Sequence, residues 1–287
     1  MAEVPVLTVD GLSIDYVTDR AVPAVREVSL RINRGEILGL AGESGCGKST
    51  FAYGINQLIR PPGRISAGTV TFHDGSGEDV DVLGLSGRDL RAYRWNKVSM
   101  VFQGAMNSLN PVIPTSAQIS DVLKTHRPGM TRSQRLARAG ELFELVGVPT
   151  SRLRSYAHEL SGGMRQRVMI AMALALTPQL IIMDEPTTAL DVVVQRDIIG
   201  EITRLQRELD FAVLFITHDL PMLLEISDRI AVMKDGRIVE MAGAEDVFFA
   251  AEHAYTRQLL RSFPSLTGAR GDFIRHGGGR LDEKAVR

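Results

Sequence analysis

The sequence contains a single cysteine, Cys46, among its 287 residues. One cysteine excludes an intramolecular disulfide and any metal or iron–sulfur site built from several cysteines. Aromatic residues are also scarce, at 6% with one tryptophan. The 33 lysines and arginines are balanced by 34 aspartates and glutamates, which gives a formal net charge of −1. Because no strong positive field results, the composition does not support nucleic acid or an anionic membrane surface as a partner.

Long hydrophobic runs are missing as well. The longest, Val168–Leu176, falls well short of the roughly 20 residues that span a bilayer. The N-terminus is acidic and lacks the basic region and apolar run of a signal peptide. Hydrophobic residues nevertheless make up 44% of the chain, which is enough for a sizeable core. We therefore expect a cytoplasmic protein that other subunits hold at a membrane if it works there.

Strands and helices are predicted to alternate through most of the chain. This alternation predicts a mainly parallel sheet covered by helices. The predicted strands are Leu7–Tyr16, Val25–Ile32, Glu36–Ala41, Thr69–His73, Val98–Phe102, Leu180–Met183, Ala212–Thr217 and Arg229–Met233. The predicted helices begin and end at about Lys48–Ile59, Asp89–Asn96, Gly162–Leu176, Val192–Leu209 and Leu220–Ile226.

Two segments differ from this pattern. Residues 104–159 have apolar positions at helical spacing and predict helices with no strand between them. Their arginines Arg132, Arg135 and Arg138 fit either a phosphate-contacting face or the solvated side of a helix, and the lack of interleaved aromatic residues favours the second. The last residues, Gly268–Arg287, are rich in glycine and arginine and predict a loose tail.

One motif carries a definite chemistry. Residues 42–49 read G-E-S-G-C-G-K-S, a phosphate-binding loop between a predicted strand and a predicted helix. Small residues let backbone N–H groups turn inward around an anion, and the helix N-terminus adds its dipole. Lys48 can reach the β- and γ-phosphates, and the Ser49 hydroxyl can ligate Mg²⁺. The residues predicted to contact ATP here are Gly42, Ser44, Gly45, Cys46, Gly47, Lys48, Ser49 and Thr50.

Two consecutive acids follow the apolar run at 180–183. A buried parallel strand delivers Asp184 at its carboxyl end, where open α/β sheets bind their ligands. We predict that Asp184 supports Mg²⁺ and that Glu185, which points elsewhere, polarises the attacking water. Alone, these acids fit a solvated strand end equally well. The phosphate loop makes the catalytic interpretation the better one.

Residues 160–168 read L-S-G-G-M-R-Q-R-V and resemble the signature sequence of ATP-binding cassette (ABC) ATPases. The resemblance extends over about residues 6–264. It implies an α/β fold of the P-loop NTPase class, with a small antiparallel β-subdomain and an inserted α-helical subdomain at about 104–160. We expect residues 1–264 to form this ABC ATPase domain and residues 265–287 a short C-terminal tail.

The resemblance also implies roles for residues outside the phosphate loop. Gln103 resembles the glutamine that links Mg²⁺ to the membrane-facing surface, and His218 resembles the switch histidine that holds the γ-phosphate. Tyr16 is similar to the aromatic residue that stacks on adenine, although a strand tyrosine also fits simple packing. In the family, the signature helix faces ATP held by a second cassette. The residues implied on that side are Ser161, Gly162, Gly163 and Asp191.

Other segments resemble the ATPases of dipeptide, oligopeptide and nickel importers. They are residues 103–111, Met164 within the signature, and the C-terminal motif at 253–260, in which Ala254 replaces the usual proline. The resemblance implies a peptide importer with a second, non-identical ATPase, two membrane permease subunits and an extracellular or periplasmic solute-binding protein. It places this chain at the cytoplasmic face of the inner membrane.

Several alternatives stay open at this stage. The same ATPase fits an importer of oligosaccharides or nickel, because other subunits read the substrate. A non-transport ABC ATPase acting on nucleic acid is disfavoured, because the phosphate loop and the signature are too close in sequence to be separated by a long coiled coil. One that acts on the ribosome is disfavoured, because the chain holds one cassette. A module that binds but does not hydrolyse ATP is disfavoured by Glu185 and His218.

Overall fold

The computed structural model describes residues 4–75, 77, 79–188 and 190–262. Within them the chain forms two β-sheets and a set of α-helices. The strands are β1 Pro5–Val17, β2 Ala21–Asn33, β3 Ile37–Ala41, β4 Gly63–His73, β5 Asp79–Asp81, β6 Val98–Val101, β7 Leu180–Asp184, β8 Ala212–Ile216, β9 Arg229–Lys234 and β10 Arg237–Gly243. The helices are α1 Lys48–Ile55, α2 Gly87–Asn96, α3 Thr115–His126, α4 Arg132–Leu145, α5 Gly162–Ala173, α6 Val192–Leu209, α7 Leu220–Ile226, α8 Ala244–Ala250 and α9 Ala254–Arg261.

The larger sheet has six strands in the order β10-β9-β3-β8-β7-β6. The five strands from β9 to β6 are parallel, and β10 pairs antiparallel with β9 at one edge. The second sheet is antiparallel, with four strands in the order β2-β1-β4-β5. The prediction of a mainly parallel sheet with a separate antiparallel sheet is therefore confirmed.

Alternating side chains of the parallel strands enter two hydrophobic clusters. In β7, Leu180 and Ile182 pack with α1 and the antiparallel sheet, whereas Ile181 and Met183 pack with the helices of the opposite layer. Buried strands with two covered faces are expected to be apolar throughout, as β3, β8 and residues 180–183 of β7 are. The parallel sheet is thus the middle layer of three.

The segment between β6 and α5 is helical, as predicted. It contains α3, α4 and three short 3₁₀ turns. Its apolar residues Ile119 and Phe143 belong to the same cluster as Ile181 of the parallel sheet. Two of its arginines are engaged locally: Arg135 donates to the Met130 carbonyl, and Arg138 donates to the Glu141 carboxylate at 3.0 Å. These contacts favour the solvated-helix interpretation of the basic stretch.

Some predicted helix ends are wrong. Helix α1 ends at Ile55 and not at Ile59, because Gln57 has φ +50°, a left-handed conformation that stops the helix. Helix α5 ends at Ala173 and not at Leu176, and the chain turns before β7 with Thr177 at φ +51°. The predicted tail, residues 265–287, lies outside the described part of the chain.

Candidate nucleotide site

The phosphate loop connects the end of β3 to the start of α1. Gly42 has φ +152°, and a Cβ atom there would collide with the Met233 carbonyl oxygen. Gly47 has φ +111°, and its Cβ would collide with the Ala24 carbonyl oxygen. Any other residue at either position would strain the backbone and clash with a neighbouring strand or turn. The backbone of the loop therefore requires glycine at both positions.

Lys48 lies inside this loop and is 5% exposed. Its ammonium group donates hydrogen bonds to the carbonyl oxygens of Gly42 at 2.8 Å and Glu43 at 2.9 Å. The Sγ atom of Cys46 is 3.8 Å away. Burial raises the pKa of that thiol, so Cys46 is a neutral, space-filling residue. An ammonium group has three N–H donors, so two carbonyls hold Lys48 in place and one donor remains for an anionic ligand.

Asp184 ends β7 and is fully buried. Its Oδ1 accepts a hydrogen bond from the Ser49 hydroxyl at 3.0 Å, whereas its Oδ2 has no hydrogen-bond partner among the described residues. Burial raises the pKa of this carboxyl, and the hydrogen bond from Ser49 partly opposes the rise. Burying a carboxylate oxygen without a partner costs folding free energy unless a cation binds to that oxygen. The pair of Asp184 and Ser49 therefore fits Mg²⁺, whose preferred ligands are oxygens.

Glu185 is the centre of a second set of contacts. Its Oε2 accepts hydrogen bonds from Gln103 Nε2 at 3.1 Å and from the Thr188 hydroxyl at 2.9 Å. Its Oε1 lies 3.2 Å from His218 Nδ1. The His218 side chain is 64% exposed and that of Glu185 is 14% exposed, so the carboxylate lies mostly covered beneath an exposed histidine. Three polar side chains from three separate loops thus converge on one acid.

The backbone explains why two consecutive acids diverge. Glu185 has φ +47°, and its N–H donates to the Ile216 carbonyl of β8 at 2.9 Å. This turn directs Asp184 to Ser49 and Glu185 away from it. Gln103 follows β6 and His218 follows β8, and these strands flank β7 in the sheet. Neighbouring parallel strands therefore bring Gln103, Glu185 and His218 together at the carboxyl ends of the strands.

The signature residues lie at the start of α5. Ser161 is the N-cap, and its hydroxyl accepts from the Met164 N–H at 3.3 Å. Gly163 lies close to α6, where a Cβ would be 2.7 Å from Val194. Asp191 caps α6 by accepting from the Val194 N–H at 3.0 Å. Among the described residues, no hydrogen bond joins Ser161, Gly162, Gly163 or Asp191 to the phosphate loop, and the side chains of Ser161 and Asp191 cap their own helices.

Tyr16 lies on β1 beside the start of α1. Its hydroxyl is 3.5 Å from the Thr50 hydroxyl, and the phenol borders a cavity of about 410 Å³. Tyr53 and Phe102 also line this cavity. Stacking of Tyr16 on adenine stays a prediction.

Sequence reasoning missed one residue of this site. Thr188 is not among the residues predicted from the sequence, yet its hydroxyl donates to Glu185 at 2.9 Å. The signal available in the sequence was its spacing, since a hydroxyl three residues after an acid in a turn can reach back to it.

Comparison with known proteins gives the family. The sequence profile described as "ABC transporter" matches residues 25–188, more than half of the chain. The chain belongs to the ABC transporter family. It is 45% identical to the dipeptide transport ATP-binding protein DppD of Haemophilus influenzae over 90% of this chain and 77% of that protein. It is 42% identical to the oligopeptide transport ATP-binding protein OppD of Bacillus subtilis over 91% and 72%.

A solved structure supports the same ABC assignment. A dimeric ATP-binding cassette in a post-hydrolysis state, bound to ADP and Pi, superposes with a TM-score of 0.71. It is 28% identical in sequence, and the match covers 83% of this chain and 98% of that one. The expected ABC ATPase fold is therefore confirmed. Among the residues that the structure describes, no helix is long and apolar enough to cross a membrane.

The cost of burying Asp184 leads to a first prediction. Because burial raises the pKa of this carboxyl, its ionised form destabilises the folded protein at neutral pH. Asp184→Asn is therefore expected to raise the melting temperature of the nucleotide-free protein. The rise should be roughly 2–4 °C for each kcal/mol gained in the free energy of unfolding. The same change removes an anionic ligand and should abolish the enhancement of nucleotide affinity by Mg²⁺.

Thermal unfolding without Mg²⁺, and nucleotide titrations with and without Mg²⁺, measure the two effects. Asp197→Asn, on the exposed face of α6, is the matched control and should change neither. A variant at position 184 that melts lower and still responds fully to Mg²⁺ would contradict this assignment.

Proposed function

We propose that this chain is the ATP-hydrolysing subunit of a bacterial ABC importer that takes up di- and oligopeptides. The observation that carries the proposal is the convergence of Gln103, Thr188 and His218 on Glu185, beside the Asp184–Ser49 pair. A module that only binds nucleotide has no need of this second set of contacts. The peptide substrate is supported by the names of the dipeptide and oligopeptide transport relatives. The proposed ABC domain is residues 1–264, with its helical part at about 104–160.

The proposed chemistry follows from the side chains in place. The phosphate loop holds the phosphates of ATP through backbone N–H groups. The Lys48 ammonium group keeps its bonds to the two carbonyls and directs its third N–H to the phosphate oxygens. When bound at Ser49, Asp184 and Gln103, Mg²⁺ supplies positive charge to the phosphates. The Glu185 carboxylate accepts a proton from the attacking water. The neighbouring acid, Asp184, is instead hydrogen-bonded to Ser49. His218, whose Nδ1 lies 3.2 Å from Glu185 Oε1, would hold the γ-phosphate, as its resemblance to the switch histidine implies.

A second cassette is required to complete the site. The helix capped by Ser161 presents Gly162 and Gly163 at its N-terminus, where exposed N–H groups favour an anion. The resemblance to ABC ATPases implies that this anion is the ATP held by the phosphate loop of the second cassette. The dimer of the similar cassette bound to ADP and Pi supports this arrangement.

The remaining partners are proposed on the same grounds. Two membrane permease subunits would carry the peptide across the bilayer, and an extracellular or periplasmic solute-binding protein would deliver it. This chain would bind the permeases peripherally at the cytoplasmic face of the inner membrane. Nucleic acid is not among the proposed partners, because the net charge is −1.

The peptide assignment is tested by reconstituting the native complex. The complex is purified through an affinity tag on this chain and placed in liposomes with its solute-binding protein. ATP-driven accumulation of labelled di- and oligopeptides is the expected result. Accumulation of oligosaccharide or Ni²⁺, with none of peptide, would replace the substrate and leave the ATPase assignment intact.

The same purification tests the composition of the cassette pair. We predict one copy of this chain beside a second, different ATPase, because Met164 replaces the usual signature glutamine and lacks its amide hydrogen bonds. The simpler alternative is a homodimer in which Met164 only packs, and its side chain does contact the core. Mass spectrometry of the intact complex distinguishes the two. A transporting complex with two copies of this chain and no other ATPase would contradict the prediction.

A further inference from the structure

The C-terminal motif at residues 253–260 has no role in the site described so far. Its start is held against β10, where Glu240 accepts backbone hydrogen bonds from Glu252 at 2.7 Å and His253 at 3.1 Å. The His253 Nδ1 atom then accepts from the N–H of Tyr255 at 3.2 Å and caps α9. These contacts fix the first turn of α9, and with it the position of Tyr255.

Tyr255 is packed against the phosphate loop and is 4% exposed. Its hydroxyl oxygen accepts a hydrogen bond from the backbone N–H of Glu43 at 3.2 Å. The ammonium group of Lys234 lies 4.7 Å from the centre of its ring, a distance typical of a cation–π contact. In the turn after β9, Gly236 N–H donates to the Cys46 carbonyl at 3.0 Å. The C-terminal part of the chain therefore holds the phosphate loop at two points.

The Tyr255 contact and a Lys48 contact lie on the same peptide group. This group joins Gly42 to Glu43: its carbonyl oxygen accepts from the Lys48 ammonium at 2.8 Å, and its N–H donates to Tyr255. A peptide group is planar, and in its trans form the carbonyl and the N–H point in opposite directions. Holding the N–H therefore fixes the direction of the carbonyl that Lys48 uses.

We infer that Tyr255 is a positioning residue for ATP binding, which orients the Gly42–Glu43 peptide and thereby the ammonium group of Lys48. The inference rests on the proposed nucleotide site. Through the hydrogen bonds of Tyr255 and Lys48, the C-terminal motif would influence how the loop binds phosphate. Tyr255 follows Glu43 by more than two hundred residues in the sequence.

The test is Tyr255→Phe in the full-length chain. Phenylalanine keeps the ring, its packing and the contact with Lys234, and it removes only the hydroxyl. The Kd for MgATP, measured by calorimetry, should rise roughly three- to tenfold, as expected for one neutral hydrogen bond. The kcat at saturating ATP should stay nearly unchanged, because Glu185 and its partners are not touched. In a Lys48→Ala background the same change should cause no further weakening.

Tyr93→Phe is the matched control. Tyr93 is also 4% exposed, and its hydroxyl has no hydrogen-bond partner among the described residues. Removing that hydroxyl should leave the Kd for MgATP unchanged.

Two outcomes would overturn the inference. A lower melting temperature of nucleotide-free Tyr255→Phe with an unchanged Kd would reduce Tyr255 to a packing residue. Undiminished weakening in the Lys48→Ala background would rule out a route through Lys48. Failure of the unmodified chain to bind MgATP would instead overturn the proposed function, and the inference with it.

Discussion

Glu185→Gln is expected to reduce ATP turnover roughly 10²- to 10⁴-fold, the range of a general base, while leaving ATP affinity intact. The amide is neutral and cannot take a proton from the attacking water. Lys48, Ser49 and Asp184 do not contact Glu185 through any hydrogen bond among the described residues, so binding should persist. Because ATP then stays bound, the variant should accumulate as an ATP-bound dimer or complex.

The Glu185→Gln variant should fold normally. Its amide oxygen can still accept from Gln103 and Thr188, which both face Oε2. Phosphate release and light scattering during gel filtration measure turnover and assembly. Glu144→Gln, on the exposed surface of α4, is the matched control. Near-normal turnover after Glu185→Gln would remove Glu185 from its role as the base.

Lys48→Ala is expected to fail at an earlier step, by weakening MgATP binding roughly ten- to a hundredfold. A hydrogen bond to a charged group contributes about 1.5–3 kcal/mol, and each 1.4 kcal/mol is a factor of ten in affinity. The substitution also leaves the carbonyls of Gly42 and Glu43 without the ammonium group that they bind. The loop should therefore lose some of its order before ATP arrives.

Direct titration with MgATP measures the effect of Lys48→Ala. Lys124→Ala, an exposed lysine of α3, removes the same charge elsewhere and should bind ATP normally. Unchanged affinity together with unchanged turnover in Lys48→Ala would mean that the loop is not a working phosphate site.

The sequence was most informative where local chemistry alone sets the structure. The phosphate loop and the buried strand before Asp184 each depend on a few neighbouring residues. Helices α6 and α7 were predicted with the bounds that they have. In these segments the hydrophobic pattern, the capping residue and the buried face all agree.

Contacts between distant segments could not be predicted. The hydrogen bond of Tyr255 to Glu43 depends on the path of β9, β10 and α9 together, and no local pattern encodes it. The predicted C-terminal ends of α1 and α5 were wrong for a related reason. Gln57 and Thr177 take left-handed conformations because the chain must turn toward the next element, and neither residue type signals this.

The order of the strands in the parallel sheet also limits how the chain can vary. Gly42, Gln103, Asp184 and His218 each lie at the end of a different strand or within two residues after it, and those strands are neighbours in the sheet. A one-residue insertion inside β7 would exchange the two faces of the strand. The side chain of Asp184 would then point into a hydrophobic layer. An insertion in the long helical segment between β6 and α5 leaves every strand end where it was. Evolution and engineering are therefore free to remodel this helical segment without moving the residues at the strand ends.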